Sequence, residues 1–443
     1  MKKVLILFFS MFMVLNLCGC TSESSNDVAD GHNPVELSAW FYADAGTNEV
    51  YQKWADDVNK AYPWITIKLE ELPYDSGPEK FTVACATDTT PDIYIDGYSR
   101  IAPAVNSGLT MDLTDVYEAN KGIFMGTPID GVVDGKFKYI ATHTGLAYGM
   151  MYNKDLADKL GVTDMIPTGL DPWTYEDFIN VCKAAQKADP SIIPVALYAG
   201  SQSSDAWYYS SYIANGASLL NEDHTKVVFN EGENREKIVE TLNFYKTLID
   251  EGLTPSGVAS MTDEDCDTFF CAGQLLFEAS GTFGTITYFN GLMDEGTCVP
   301  FTWECAVMPT STGSETPESG SWGTYGFCAF DHGEDKAEAV KLALNLYLQD
   351  PQYHSQICTL VGKASVLNTT TVEYPSEHIE EAMKKGAEYT VTYGISDFGI
   401  LEPWWTDFRQ THYPQMQDFY TGKIDAETML DNWAQEATKV IPQ

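Results

Sequence analysis

From residue 35 onward the chain alternates short apolar runs with amphipathic helical patterns, and this alternation restricts its fold more than any other feature. A strand is expected over 35–41, then a helix over 48–62 with Val50, Tyr51, Trp54, Val58 and Tyr62 on one face and Pro63 as its stop. A strand over 65–69, a helix over 79–86 and a buried strand over 92–95 follow. Parallel strands cannot be joined by a tight turn; they need a crossover of a dozen or more residues, which the intervening helices supply. The β-α-β-α-β order therefore predicts an α/β fold with a parallel, doubly wound first lobe.

The third strand opens the stretch 90–115, TPDIYIDGYSRIAPAVNSGLTMDLTD. It predicts the strand 92–95, a polar turn over 96–100, a short helix over 101–107 stopped by Gly108, and a second extended piece from Leu109. In open α/β sheets ligands sit outside the carboxyl ends of the strands, so Asp96, Tyr98, Ser99 and Arg100 stand where a ligand would be met. A solvated loop accounts for the same residues equally well.

Further along, 139–153 reads as a strand pair able to carry a crossover to a second lobe. Thr174 and Asp177 make a near capping box for a helix over 175–188, and a strand is expected over 194–197. A Ser/Trp/Tyr loop over 200–212 precedes a periodic helix over 233–251. A short helix over 262–272, a strand over 274–277, a turn over 280–284, a loop over 310–321 and a strand over 326–330 come next. Helices over 335–348, 351–359, 379–387, 407–419 and 426–441 close the chain. No repeat has the period of a solenoid or propeller.

Composition then removes function classes. The 443 residues, 44% of them hydrophobic, suffice for two or three domains with full cores. Sixty-four acidic against 26 basic residues give a net charge of −38, which repels nucleic acid and anionic lipid. No Cys/His cluster has zinc spacing, the acidic run 263–267 lacks the glycine of a calcium loop, and no cofactor motif is present. None of the seven histidines lies in a recognisable catalytic context. At the N-terminus, Lys2 and Lys3, an apolar run over 4–15 and Leu17-Cys18-Gly19-Cys20 resemble a bacterial lipobox, which implies a signal peptide over 1–19 and lipidation at Cys20. Residues 20–34 then read as a flexible tether, with the membrane reached through the lipid alone. The eight remaining cysteines are scattered and read as buried small hydrophobes.

The lipobox, "TPDIYIDGYSRIAPAVNSGL", "YGMMYNKDL", "WTYEDF", "FFCAGQLLFEASGTFG", "AVMPTST" and "KAEAVKLALNLYLQDPQYHSQI" fall in the order seen in family 1 extracellular solute-binding proteins, which the chain resembles over nearly all of its mature length. These are the maltose-binding-protein-like receptors of ABC importers. The resemblance implies a two-lobe periplasmic-binding-protein-like fold with a hinge and an interlobe ligand cleft. It places one lobe at 35–143 plus about 306–350 and the other at 144–305 plus about 351–443, with crossings near 142–146, 303–308 and 348–352. It carries ligand contacts to Tyr42, Asp44, Asp96, Tyr98, Ser99, Arg100, Tyr148, Asp205, Trp207, Phe283, Trp322, Tyr325, Trp404 and Trp405. Asp96 and Ser99 depart from the aromatic and the carboxylate that the maltose receptor has there, so the sugar should differ.

Residue chemistry points the same way. A pyranose has an apolar C–H face and a rim of hydroxyls, so its receptor needs aromatic platforms beside Asp, Arg and Tyr groups. Aromatic residues make up 13% of this chain. The expected function is a monomeric, lipid-anchored receptor at the outer face of the membrane that captures a carbohydrate by hinge closure and passes it to an ABC permease, without catalysis. A lipid-anchored glycoside hydrolase, or a receptor for a polyamine or peptide, are the alternatives.

Overall fold

The computed structural model describes residues 32–42, 46–73, 77–125, 130–147, 149–278, 285–314, 317–320, 323–372, 377–395 and 398–442. Its strands are β1 (Val35–Tyr42), β2 (Ile65–Leu72), β3 (Ile93–Gly97), β4 (Val132–Val133), β5 (Lys136–Phe137), β6 (Ile140–Thr144), β7 (Met150–Asn153), β8 (Ile193–Ala196), β9 (Leu275–Glu278), β10 (Trp303–Ala306), β11 (Ser319–Gly320), β12 (Thr324–Ala329), β13 (Ala364–Ser365) and β14 (Gly394–Ile395).

Six of these form a first sheet in the order β13-β6-β12-β3-β1-β2. The strand β1 runs parallel to both β2 and β3, with the helices Thr47–Ala61 and Gly77–Thr87 as crossovers, whereas β12 is antiparallel to β3 and β6. Side chains alternate across the sheet. Leu37, Ala39, Phe41, Ile93, Ile95 and Phe327 pack on one face with Trp54 and Tyr347, while Tyr94, Ala141 and Cys328 pack on the other with Phe81, Tyr98 and Ile101. Burial on both faces explains the apolar run Ile93-Tyr94-Ile95 of the central β3, whereas β1 and β2, partly exposed on one face, alternate in sequence.

A second sheet has the order β10-β7-β9-β8, with β8 and β9 parallel and β7 antiparallel to both neighbours. Its core surrounds the helix Ser204–Ala214, whose eleven residues are all buried. The sequence reads a loop over 200–212 there. A helix buried on every side carries no 3.6-residue apolar stripe, so its period is invisible and its serines suggest a loop. The box at Thr174 is complete: the Asp177 N–H donates to the Thr174 hydroxyl and the Asp177 carboxylate accepts from the Thr174 N–H.

Three further expectations need correcting. The segment 139–153 is not a strand pair, because β6 belongs to the first sheet and β7 to the second. The helix expected over 407–419 is two, Trp405–Arg409 and Tyr413–Tyr420, since Pro414 has no N–H to donate to the Gln410 carbonyl and is tolerated only in a first turn. Residues 351–367 pack on the first sheet: β13 pairs with β6, and Tyr353, Ile357 and Leu367 join its core.

The chain passes between the sheets after β6, after β10 and after β13. These passages are bonded to one another. Gly145 N–H donates to the Gly323 carbonyl at 3.0 Å, Ala147 N–H to Thr390 Oγ1 at 2.8 Å, and the Tyr389 hydroxyl to the Pro317 carbonyl at 2.9 Å, while β11 pairs with β14. All eight described cysteines are free, and six of them are buried. Among the described residues no helix is long and apolar enough to cross a membrane.

Candidate ligand-binding site

The carboxyl ends of β1, β3 and β6 and the amino ends of the antiparallel β12 and β13 meet along one edge of the first sheet. Register places Tyr325 opposite both Gly97 and His143, and Thr144 opposite Thr324 and Ala364. The absence of a side chain at Gly97 lets the Tyr325 ring lie over it, since a Cβ there would come within 3.2 Å of that ring. Tyr325 also stacks on His143, with centroids 5.4 Å apart and an 8° interplanar angle, and meets Tyr42 at 5.9 Å. The Lys363 ammonium sits 3.8 Å from the Tyr325 centroid and donates to the Tyr42 hydroxyl at 2.8 Å. Two tyrosines, a lysine and a histidine from four strand ends thus form one wall.

His143 is buried in that wall, with Nδ1 3.0 Å from the Thr142 hydroxyl. Burial, and then the nearby Lys363 charge, hold the ring well below the usual histidine range, so it is neutral. Its Nε2 finds no hydrogen-bond partner among the described residues.

The neighbouring turn differs from its expected form. The strand β3 continues through Gly97, and the helix Tyr98–Asn106 begins at the next residue, so the polar turn over 96–100 is absent. Asp96 is buried: it accepts from the Tyr94 hydroxyl at 2.5 Å and the Gly97 N–H at 2.6 Å, and faces Arg100 Nη1 at 3.5 Å. Its carboxylate thereby anchors Arg100, which at 22% side-chain exposure is the more accessible of the two. Tyr98 is buried against Tyr139, with centroids 4.9 Å apart, and Ser99 is half-buried beside Arg100.

The second body contributes less than expected. Asp205 is fully buried, and Arg409 grips it through Nε at 2.6 Å and Nη2 at 2.9 Å. Burial pushes its carboxyl up, and the guanidinium opposes that. Trp207 lies in the second-sheet core beside Met150, Phe178 and Phe244, so its ring offers no face for stacking. Trp405 is covered by Phe408 at 5.2 Å, Phe398 and Tyr209, and Trp404 is buried against Phe408. These three tryptophans are core residues of their own body in this conformation, not platforms. Asp44, Tyr148, Phe283, Trp322 and Cys20 lie outside the described residues.

The structure therefore brings Tyr42, Asp96, Ser99, Arg100 and Tyr325 to one edge and adds His143 and Lys363, which the sequence reading missed. Lys363 had one available signal: Gly362, at φ 58°, ends the helix Pro351–Val361 and hands the next residue to the sheet edge. Leu401 packs against both the second-sheet core and the cluster that holds Tyr98 and Tyr139. The two bodies approach each other there.

A model of the family described as bacterial extracellular solute-binding protein matches residues 44–352, more than two thirds of the chain. The chain belongs to this family. A binding protein of Brucella abortus (strain 2308) is 24% identical over 398 residues, covering 87% of this chain and 89% of that protein. Among solved structures, a chitin oligosaccharide binding protein superposes with a TM-score of 0.73 at 16% identity, covering 92% of this chain and 98% of the other. The ABC substrate-binding protein of Listeria monocytogenes in complex with cycloalternan gives 0.66 at 19% identity, covering 91% and 98%. At such identities the structures establish a shared fold, the two-lobe α/β fold of substrate-binding receptors.

Proposed function

We propose that this solute-binding protein is a receptor that captures a carbohydrate, an oligosaccharide, between its lobes and delivers it to an ABC importer without chemical conversion. The observation that carries this reading is the first-sheet wall, where the Tyr325 and Tyr42 rings stand beside the Lys363 ammonium and Asp96 holds Arg100 just past the end of β3. An aromatic wall edged by tyrosine hydroxyls and cationic donors supplies groups that a sugar's hydroxyl rim and C–H face require. The printed ligands of fold neighbours, a chitin oligosaccharide and cycloalternan, support the same class.

Within this reading the first lobe is 35–143 with about 306–367, and the second is 144–305 with about 368–443. The boundary moves from 350 because 351–367 packs on the first sheet. A ligand that contacts both lobes only when they close shifts the population to the closed form, which the permease then recognises. Besides the wall residues, the site includes Asp44, Tyr148, Phe283 and Trp322. Lipidation at Cys20 holds the monomer at the outer face of the membrane.

Thermal-shift screening and calorimetry against mono- and oligosaccharides test the reading, because a ligand of the native state raises apparent stability. A sugar that raises the melting temperature and binds stoichiometrically supports it. Release of reducing ends at enzymatic rates would replace the receptor with a glycoside hydrolase, and tight binding of a polyamine or peptide with no sugar response would replace the ligand class.

A further inference from the structure

The chain just after the helix Asp263–Cys271 lies beside the chain that follows the helix Thr285–Asp294. The Val299 N–H donates to the Cys271 carbonyl at 2.8 Å, and a Cβ on Gly273 would meet Val299 Cγ2 at 3.0 Å. Cys271 and Cys298 thus sit on adjoining backbones, joined by the hydrogen bond of the residue that follows Cys298. Their thiols are close enough that each alters the other's protonation. Cys298 is buried and Cys271 is partly exposed.

We propose that Cys271 and Cys298 form a dithiol site that an external disulfide converts into an intrachain cystine. The Cys271 thiolate, on the accessible side, attacks one sulfur of a small-molecule disulfide, forming a mixed disulfide and releasing one thiolate. The Cys298 thiolate then attacks Cys271 Sγ, forming the intrachain bond and expelling the second thiol. Two electrons pass from the cysteine pair to the external disulfide, and two protons leave the pair. Burial pushes the Cys271 thiol up to about 12, so little thiolate is present at neutral pH and the exchange accelerates as pH rises. The bond closes the loop 272–297, which holds β9 and the helix Thr285–Asp294, and that helix packs against Pro351–Val361 of the first body. Closing a loop of this length restricts the unfolded chain, and the oxidised protein is the more stable form. The proposal does not depend on the ligand's identity.

The test incubates the full-length protein with excess oxidised glutathione at pH 8.5, followed by denaturation, alkylation and peptide mass mapping. The expected result is a Cys271–Cys298 linked peptide, two fewer titratable thiols per chain and a melting temperature higher by a few °C, all reversed by dithiothreitol. Cys271→Ser, at the partly exposed position, keeps the packing around Cys298 and is expected to abolish both the link and the thermal shift. A link confined to other cysteines, or undiminished thiols after prolonged oxidation, would overturn the proposal. So would a thermal shift that persists in Cys271→Ser.

Discussion

At the scale of single residues, the wall at the first-sheet edge separates groups that hold the fold from groups that meet a ligand. Tyr325 rests on Gly97 and His143 and carries the Lys363 ammonium over its ring. Tyr325→Ala is expected to weaken sugar binding by about 1–3 kcal/mol, roughly 5- to 150-fold in Kd, through lost apolar burial and loss of the ring that positions Lys363. Calorimetry with the sugar found by screening measures this, and an unchanged Kd would place the site elsewhere. Asp92 is the contrasting case, a buried carboxylate that serves stability. It accepts from Ser38 N–H at 2.7 Å, from Lys336 at 2.9 and 3.0 Å, and lies 2.8 Å from His332 Nδ1. Burial raises its pKa, but Ser38, His332 and Lys336 together outweigh that and hold it below the usual carboxylate range. Asp92→Asn leaves Lys336 without its charge partner on Asp92 and is expected to cost about 2–4 kcal/mol, read from the urea midpoint, with ligand affinity unaltered. Tyr42 and Tyr325 were legible through the family resemblance, which carried ligand contacts to both, and Tyr42 also follows directly on a strand whose character was plain. Trp207, beside a Ser/Gly stretch, resembles an exposed platform in the sequence but lies in the second-sheet core, and Trp405 is covered by Tyr209 from a distant part of the chain as well as by the nearby Phe398 and Phe408.

At the scale of elements, the central strand β12 decides whether the site can exist, because it joins β3 to β6 and presents Tyr325. Its register slips between Tyr325 and Gly326, and a Cβ at Gly326 would fall 2.0 Å from the Ile140 carbonyl oxygen. That backbone has no side chain's freedom to move aside. Gly326→Ala is therefore expected to cost upwards of about 3 kcal/mol and to lower the melting temperature by several °C. A variant as stable as the parent in circular-dichroism melts would contradict the close approach. This constraint was not readable in the sequence, since Gly326 looks like any residue of an apolar strand until β6 is placed beside it. The three parallel strands β1, β2 and β3 were readable, because local periodicity and the intervening helices specify them without reference to distant segments. Allocation of 351–367 was not readable: a helix stripe shows that a face is buried, but not which sheet covers it.

At the scale of the whole molecule, two bodies with separate cores share a sequence that is strongly acidic, and their buried histidines report on them independently. His354 lies edge-on to Tyr347 in the first body, and its pKa is lowered to about 4 by burial, which the backbone at Tyr347 and Leu348 only partly offsets. His412 is fully buried in the second body, 3.2 Å from the Tyr212 hydroxyl and edge-on to Trp433, and burial lowers it to about 3. An unfolded histidine titrates near 6.5, so between that value and the folded pKa the unfolded chain binds more protons than the native one. Stability is then full above about pH 6.5 and falls as pH drops through the window to about 4 for His354 and about 3 for His412. At pH 5 each histidine removes on the order of 2 kcal/mol relative to pH 7.5. Depressed carboxylates such as Asp92 act in the same direction, but only below about pH 4, where the unfolded carboxyl begins to protonate. Asp267, which burial and the neighbouring Asp263 charge raise to about 7, takes up a proton in the same window and opposes this loss, so urea unfolding at pH 7.5 and 5.0 is compared between the parent and each histidine variant. His354→Gln should flatten the pH dependence of the transition belonging to the first-sheet body, and His412→Gln that of the second. If both substitutions flatten a single shared transition, the two bodies unfold together and the interlobe passages at Gly145, Ala147 and Tyr389 couple them. If neither alters the slope, the acid sensitivity has another origin and the neutral, buried state of these histidines is refuted.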